Sequence, residues 1–266
     1  MVGEVVGRVI ESRSTRYPVG ATVVAGYGWR THGGVHEDEK HTLPTAQLRT
    51  VPEDFPKDLS TGLMLGVTVM PGMTAYFGLH DVCQAKAGEI VLVNAAAGAV
   101  GSLVGQIGKI KGCKVIGCAG TDEKVNWLRE LGFDYVFNYK TGSLDEELKT
   151  AAPEGIDCYF DNVSWGDLSV SVLNNHIKVH GRVACCGSIS TYNNPEAKGV
   201  EAAGVLWRGV TGGLARGCHT GDDMNRGVNP GKVKYKEHVT SGFDQTPQAL
   251  IGVLTGGNTG KAIVKV

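Results

Sequence analysis

The chain has 266 residues, 42% of them hydrophobic, which is enough for a sizeable buried core in more than one lobe. Its formal net charge of −1 argues against a nucleic-acid or membrane-surface protein, because such proteins usually carry a basic face or tail. No apolar run approaches the roughly 20 residues that a membrane-spanning helix needs. The opening residues lack the basic and apolar regions of a signal peptide, so we expect a cytoplasmic protein.

The seven cysteines include no C-x-x-C pair, which disfavours a zinc site. Reduced, buried thiols are the expectation for a cytoplasmic protein. Three loop histidines, His32, His36 and His41, have no companion cysteines or carboxylates at ligand spacing. We therefore predict that the protein holds no metal.

The first part of the chain is predicted to be rich in β-structure. Short β-branched runs at residues 5–11 and 22–25 are separated by turn residues. Residues 58–80 have helical spacing, and Pro71 and Gly72 interrupt it. This pattern predicts two short helices with a bend between them.

From residue 88 onward, short apolar runs alternate with segments of helical spacing. Strands are predicted at 90–94, 114–118, 135–138, 157–161 and 182–187, and helices at 100–111, 122–131, 144–150 and 168–176. Such alternation is typical of a parallel sheet covered by helices on both faces. Between 196 and 229 no period holds, and we assign no element there. A strand at 234–239, a helix at 246–254 and a strand at 262–266 complete the prediction.

A glycine-rich turn joins the strand at 90–94 to the helix after it. The cofactor-binding candidates in this turn are Ala97, Gly98, Ala99, Val100 and Gly101. The pattern is G-x-G-x-x-G with alanine at the first glycine. Gly98 would let the backbone approach a pyrophosphate, and Gly101 would let the helix pack closely on the strand. Such a turn often carries glycine for packing alone, but its place at the start of several β–α units favours a dinucleotide site.

The residues after the second strand of this series bear on the choice between NAD and NADP. An acidic residue there usually binds the ribose hydroxyls of NAD. Thr121 and Lys124 would suit the 2′-phosphate of NADP by hydrogen bond and by charge. Asp122 would instead bind a ribose, or it merely supplies the negative charge that helix starts favour. These residues alone favour NADP(H) only mildly.

Five strings of residues are together far more specific than any one motif. They are VTVMPGMTAYFGL at 67–79, VNAAAGAVGS at 93–102, VFNYK at 136–140, YFDNV at 159–163 and CGSISTYN at 186–193. They resemble the prostaglandin reductase family, whose members are also known as leukotriene B4 12-hydroxydehydrogenases and NADP-dependent alkenal/one oxidoreductases. That family belongs to the zinc-independent medium-chain dehydrogenase/reductase superfamily. The likeness runs from about residue 1 to residue 193 and resumes from about 232 to 266.

The resemblance implies an α/β fold, with a Rossmann doubly wound parallel sheet plus an incomplete β-rich GroES-like lobe. The implied division is a partial GroES-like lobe at 1–67, an NADP-binding Rossmann domain at 68–230, and a return to the catalytic lobe at 231–266. The family's chain begins before residue 1 of this one, so the opening strands of the lobe are expected to be missing. Residues 195–230 do not match. We therefore expect there neither the family's substrate-side tyrosine nor its nicotinamide-contacting strand.

The resemblance also implies an activity. NADPH gives a hydride to the β-carbon of an α,β-unsaturated ketone or aldehyde, such as a 15-oxo-prostaglandin or a 2-alkenal. Dehydrogenation of the 12-hydroxyl of leukotriene B4 is a second implied reaction, and a homodimer is the implied assembly. No catalytic side chain is assigned. The alternatives are a catalytically impaired NADP(H)-binding protein and a relative of the quinone oxidoreductases.

Each cofactor-binding residue is carried over from the matching strings. Residues 97–100 would contact the pyrophosphate, Lys124 the 2′-phosphate, and Tyr139 the adenine ribose. The ribose and nicotinamide would be lined by Asn162, Cys186, Gly187, Ser188, Ile189, Ser190, Thr191 and Tyr192, and Asn258 would also reach the cofactor. Three residues have other interpretations: Lys124 as a solvated helix lysine, Tyr139 as a core aromatic, and Asn162 as a turn cap. Cys185 and Cys186 are interpreted as strand residues and not as nucleophiles.

Overall fold

The computed structural model describes residues 3–26, 28–37, 47–52, 55–164, 166–189, 206–209 and 233–266, with 206–209 described by backbone alone. The strands are β1 (Val5–Arg8), β2 (Thr22–Ala25), β3 (Arg49–Thr50), β4 (Ile90–Val93), β5 (Lys114–Ala119), β6 (Tyr135–Asn138), β7 (Ile156–Asp161), β8 (Ile177–Cys185), β9 (Leu206–Gly209), β10 (Glu237–Ser241) and β11 (Lys261–Lys265). The α-helices are α1 (Met70–Phe77), α2 (Gly101–Ile110), α3 (Asp122–Glu130), α4 (Leu144–Ala151), α5 (Asp167–Ser171) and α6 (Thr246–Leu254). Short 3₁₀ turns lie at Thr61–Leu65 and Phe243–Gln245, and π-helical turns at Gly78–Val82 and Val172–His176.

Six parallel strands form the central sheet, in the order β6-β5-β4-β7-β8-β9. Numbered from β4, this is the 3-2-1-4-5-6 order of a Rossmann fold. The strand order reverses between β4 and β7, and ligands of such sheets bind outside the carboxyl ends of the strands at that point. The expected α/β fold with a Rossmann sheet is confirmed.

The core lies on both faces of this sheet because successive strand side chains point to opposite faces. Val91 and Val93 of β4 belong to one apolar cluster, which includes the inner face of α2. Ile90 and Leu92 belong to a second cluster, which includes Leu148 of α4. All four β4 side chains are buried, as the central strand of a parallel sheet requires.

Two smaller sheets lie beside the central one. Strands β1, β2 and β3 pair antiparallel, and β10 and β11 pair in parallel. The chain before β10 is held to α2 by the buried side chain of Gln106. Its Oε1 accepts from the Lys234 amide at 2.8 Å, and its Nε2 donates to the Lys234 carbonyl at 2.9 Å. The division at residues 67 and 230 stays a prediction.

The bend predicted at Pro71 and Gly72 is wrong. Both residues lie in the first turn of α1, where proline is tolerated because an N–H there has no intrahelical partner. The helical spacing is broken earlier, between the 3₁₀ turn that ends at Leu65 and the start of α1 at Met70.

One strand lies within the segment 195–230, where no element is predicted from the sequence. The backbone of β9 extends the sheet at its edge, with Leu206 opposite Arg182 and Gly209 opposite Cys185. The sequence of this strand, Leu-Trp-Arg-Gly, is neither an apolar run nor an alternation of apolar and polar residues, so the pattern does not predict it. The prediction that Cys186 and Gly187 belong to a strand is wrong. Strand β8 ends at Cys185, and both residues lie in the loop that follows it. No helix in the described part of the chain is long and apolar enough to cross a membrane.

Asp145 ties the start of α4 to the π-helical turn after α5. Its Oδ1 accepts from Ser171 Oγ at 2.7 Å and lies 2.7 Å from His176 Nε2. These hydrogen bonds, from Ser171 first and His176 second, lower the pKa of Asp145 to about 2. Since this pKa is lower in the folded state, the unfolded state takes up the proton first as the pH falls.

The stabilisation from Asp145 is therefore present above about pH 4 and is lost as the pH falls toward about 2. We expect Asp145→Asn to flatten the fall in Tm across this acid range, measured by circular dichroism melts. Replacement of the exposed Glu154 by glutamine is the control. An acid slope for Asp145→Asn as steep as that of the control would contradict the assignment.

Candidate functional site

The turn between β4 and α2 forms the centre of the candidate site. A Cβ on Gly101 would lie 2.6 Å from the Ala95 carbonyl oxygen and 2.8 Å from the Cα of Ala96, so only glycine fits without a backbone shift. A Cβ on Gly98 would meet only the Ala95 oxygen, at 3.2 Å. Gly101 therefore allows the helix to pack on the strand, whereas Gly98 leaves an open stretch of backbone.

Helix α2 begins without a side-chain cap, since its N-cap residue Val100 makes no such hydrogen bond. The amides of Ser102 and Leu103 donate to the carbonyls of Gly98 and Val100, at 3.1 and 3.0 Å, and the helix start carries partial positive charge. No acidic side chain lies in this first turn. The turn is therefore compatible with a phosphate group, and the contacts of residues 97–101 with it stay a prediction.

Lys124 lies in the first turn of α3, and its Nζ donates to the Gly256 carbonyl at 2.6 Å. Burial, followed by repulsion from Lys140, lowers the pKa of the Lys124 ammonium. An ammonium has three donors, so the bond to Gly256 leaves others for a ligand. Lys124 is thus a half-buried cation and not a fully solvated helix lysine.

Tyr139 and Lys140 lie beside Gly120, at the carboxyl end of β5. A Cβ on Gly120 would lie 3.0 Å from the Tyr139 hydroxyl and 3.1 Å from Lys140 Cε. Tyr139 is 43% exposed, so it is not a core aromatic residue. The hydroxyl and the two lysines therefore surround the strand end where a Rossmann fold binds the adenine ribose.

Thr121 and Asp122 have structural contacts at the start of α3. Thr121 is the N-cap, and its Oγ1 accepts from the Lys124 amide at 3.4 Å. Its own hydroxyl proton remains a donor. Asp122 lies in the first turn and accepts from Asn138 Nδ2 at 2.8 Å. Asp122 thus holds the Asn138–Tyr139 region against α3, in agreement with its interpretation as a helix-start residue.

Asn162 follows β7 at the reversal of strand order. Its amide donates to Asn94 Oδ1 at 2.6 Å, and its Nδ2 donates to the Asn94 carbonyl at 2.9 Å. The loop after β8 joins the same place, since the Cys186 amide donates to the Asp161 carbonyl at 2.8 Å. The structure therefore brings Asn162 and the loop that begins at Cys186 together. Ser188 and Ile189 continue this loop half-buried, and Ser190, Thr191 and Tyr192 fall outside the described residues.

Asn258 reaches the site through the loop that precedes β11. Its Nδ2 donates to the Gly260 carbonyl at 2.8 Å, and the Gly260 amide donates to the Ala97 carbonyl at 2.7 Å. Gly256 in the same loop accepts from Lys124. This loop therefore contacts both the phosphate turn and Lys124.

Sequence reasoning missed several residues of the site. Asn94 and Asp161 are polar residues at the carboxyl ends of buried strands, which is the signal that would have found them. Lys140 stands beside Tyr139 in the VFNYK string. Gly256 had no signal, because it enters the site through its backbone carbonyl.

The cysteines near the loop are unsuited to nucleophilic chemistry. Burial raises the pKa of both Cys185 and Cys186 to about 12, so both thiols are neutral at physiological pH. Within the described ranges, no group of three His, Cys, Asp or Glu side chains could hold a metal ion. His41 and Cys218 lie outside those ranges.

Comparison with known proteins gives consistent relatives. A family model described as zinc-binding dehydrogenase matches residues 99–220. Prostaglandin reductase 1 of Bos taurus is 49% identical over 281 residues, covering 100% of this chain and 81% of that protein. An NADP(+)-dependent 2-alkenal reductase of Nicotiana tabacum is 38% identical, covering 100% of this chain and 77% of that protein.

A solved structure agrees with these relatives. CurA of Vibrio vulnificus in complex with NADPH superposes with a TM-score of 0.84 at 34% identity, covering 100% of this chain and 80% of that one. Together with the Rossmann strand order and the glycine turn, these matches confirm the expected resemblance. The chain belongs to the prostaglandin reductase family of the zinc-independent medium-chain dehydrogenase/reductase superfamily.

Proposed function

We propose that the chain is an NADPH-dependent oxidoreductase that reduces the carbon–carbon double bond of α,β-unsaturated ketones and aldehydes. The observation that carries this proposal is the uncapped glycine turn with the half-buried Lys124 beside the adjacent strand end. The relatives described as prostaglandin reductase and 2-alkenal reductase, and the CurA structure with NADPH, support both cofactor and reaction. Enones such as 15-oxo-prostaglandins and enals such as 2-alkenals are the proposed substrates.

The proposed cofactor contacts are those that the family resemblance implies. The turn at residues 97–101 holds the pyrophosphate, and Lys124, Thr121 and Tyr139 hold the 2′-phosphate and adenine ribose. Asn162 and the loop from Cys186 to Tyr192 line the ribose and nicotinamide. Asn258 lies in the loop that closes over the phosphate turn.

NADPH, when bound, supplies the hydride that adds to the β-carbon. The chain's own residues bind and orient the cofactor. The negative charge that develops on the substrate's carbonyl oxygen calls for hydrogen-bond donors around it. No side-chain nucleophile is required, which agrees with the high pKa values of the Cys185 and Cys186 thiols.

We further propose a homodimeric, cytoplasmic protein whose partners are small lipid enones and not nucleic acids. The near-neutral net charge of −1 supports the last point, and the family resemblance supports the dimer. Dehydrogenation of the 12-hydroxyl of leukotriene B4 is a second proposed reaction.

The test is the loss of NADPH absorbance with purified protein and a 2-alkenal or a 15-oxo-prostaglandin. We expect turnover with both, and faster turnover than with a quinone. Thermal stabilisation by NADPH without turnover would identify a cofactor-binding protein that lacks catalysis. A preference for quinones would instead identify the chain as a quinone reductase.

A further inference from the structure

A network of buried polar side chains lies directly beneath the proposed nicotinamide end of the site. Its members come from the ends of β4 and β7 and from α5, and each is at most 6% exposed: Asn94, Tyr159, Asp161, Ser164 and Ser169. Buried polar groups destabilise a fold unless they are fully hydrogen-bonded, so a network of this size needs an explanation.

The Asp161 carboxylate is the centre of the network. Its Oδ1 accepts from Asn94 Nδ2 at 2.6 Å and from the amides of Val163 and Ser164 at 3.0 and 2.8 Å. Its Oδ2 accepts from Ser169 Oγ at 3.0 Å. Four donors converge on one carboxylate, which is 1% exposed and has no cationic partner among these contacts. Its negative charge is therefore balanced by directed hydrogen bonds, which fix the positions of their donors.

Two of these four donors, Asn94 and Ser164, lead to residues that are proposed to face the cofactor. Asn94 is oriented by Asp161 and by the Tyr159 hydroxyl at 2.7 Å, and Asn94 in turn accepts the Asn162 amide at 2.6 Å. Ser164 donates from its hydroxyl to the Gly187 carbonyl at 2.6 Å. The Asp161 carbonyl also accepts from the Cys186 amide at 2.8 Å.

We propose that Asp161 is a positioning residue for hydride transfer, which holds Asn162 and the loop from Cys186 to Ile189 in the arrangement that orients the nicotinamide. The inference rests on the proposed function, since it concerns the nicotinamide end of the same NADPH site. Asp161 itself contacts neither cofactor nor substrate, and acts through Asn94, Ser164 and the backbone.

The network lies at the nicotinamide end of the proposed cofactor site and not at the adenosine end. Lys124, Tyr139 and the uncapped start of α2 lie outside it, and they supply the charged contacts that dominate binding of a phosphorylated ligand. Disturbing Asp161 should therefore change the position of the nicotinamide much more than the affinity for the adenosine half. A purely structural network would instead change stability alone.

The experiment compares the unmodified chain with Asp161→Asn and Ser164→Ala. Asparagine keeps the shape of Asp161 and removes its charge, and Ser164→Ala deletes the hydroxyl bond to the Gly187 carbonyl. The matched control is Ser171→Ala, which deletes a serine hydroxyl bond of 2.7 Å to Asp145, a residue outside the network. Circular dichroism melts establish that each variant is folded at the assay temperature.

Three readouts are measured on each variant. Affinity for adenosine 2′,5′-bisphosphate reports the adenosine end, and the fluorescence anisotropy of bound NADPH reports how firmly its nicotinamide is held. Single-turnover reduction of a 2-alkenal with NADPH and with its C4-deuterated form reports hydride transfer. We expect the adenosine affinity to change less than about threefold, the anisotropy to fall, and hydride transfer to slow by about 10- to 100-fold with a larger isotope effect.

Several outcomes decide the matter. Hydride transfer and anisotropy equal to those of Ser171→Ala would overturn the proposal, as would equal losses at both ends of the cofactor. If Asp161→Asn does not fold, Ser164→Ala alone carries the test. If the unmodified chain reduces no enal, the proposed function fails. The anisotropy of bound NADPH in the variants then still decides whether Asp161 positions the nicotinamide.

Discussion

Lys124→Met is expected to raise the dissociation constant for NADPH by about 10- to 100-fold while changing that for NADH by less than about twofold. The two cofactors differ only in the 2′-phosphate. Hydrogen bonds to charged groups contribute about 1.5–3 kcal/mol each, and an ammonium beside a phosphate adds charge attraction. Methionine retains an unbranched side chain, so the variant removes the charge and the hydrogen bond to the Gly256 carbonyl but little volume.

The measurement is a fluorescence titration of each variant with NADPH and NADH at fixed ionic strength, since charge contacts weaken with salt. Lys149→Met is the matched control, because Lys149 is an exposed lysine in the last turn of α4. Equal losses for NADPH and NADH would mean that Lys124 supports the fold and not the 2′-phosphate. An unchanged NADPH affinity would mean that Lys124 is an ordinary helix lysine without a role in cofactor binding.

The sequence was a good guide to the central sheet for a physical reason. Strands such as β4 are buried on both faces and are therefore continuous apolar runs, and the helices between them show a clear apolar stripe. The prediction failed for β9, a four-residue strand without a readable period, and at Pro71, where proline starts a helix and does not break it. In both places tertiary context decided the structure.

The candidate site also has parts that the sequence could predict and parts that it could not. The phosphate turn is local in sequence, so its pattern could be recognised directly. The contacts of Lys124 with Gly256 and of Asn162 with Asn94 join residues 132 and 68 positions apart. The local sequence pattern gives no signal for pairs so far apart in the chain. Asp161 could have been suspected only after the strand order showed that β4 and β7 are neighbours.

The two glycines of the turn are expected to respond differently to alanine. Gly101→Ala places a methyl group 2.6 Å from the Ala95 carbonyl oxygen and 2.8 Å from the Ala96 Cα, so backbone must move. Overpacking of this kind costs about 1–3 kcal/mol, beyond the gain of up to about 1 kcal/mol from better helix propensity. We expect Tm to fall by about 2–4 °C for each kcal/mol lost, measured by thermal unfolding without cofactor.

Gly98→Ala is expected to disturb packing less than Gly101→Ala, because its methyl group meets only the Ala95 carbonyl oxygen, at 3.2 Å. The added methyl group lies in the turn where the pyrophosphate is proposed to bind, so we expect NADPH affinity to fall about tenfold or more, with a smaller fall in Tm than for Gly101→Ala. The same NADPH titration and melt on both variants serve as reciprocal controls. A loss of stability in Gly98→Ala as large as that in Gly101→Ala, or full stability in Gly101→Ala, would contradict this division. The two roles are separable because a methyl group at position 101 would meet two backbone atoms at 2.6 and 2.8 Å, whereas one at position 98 meets a single oxygen at 3.2 Å.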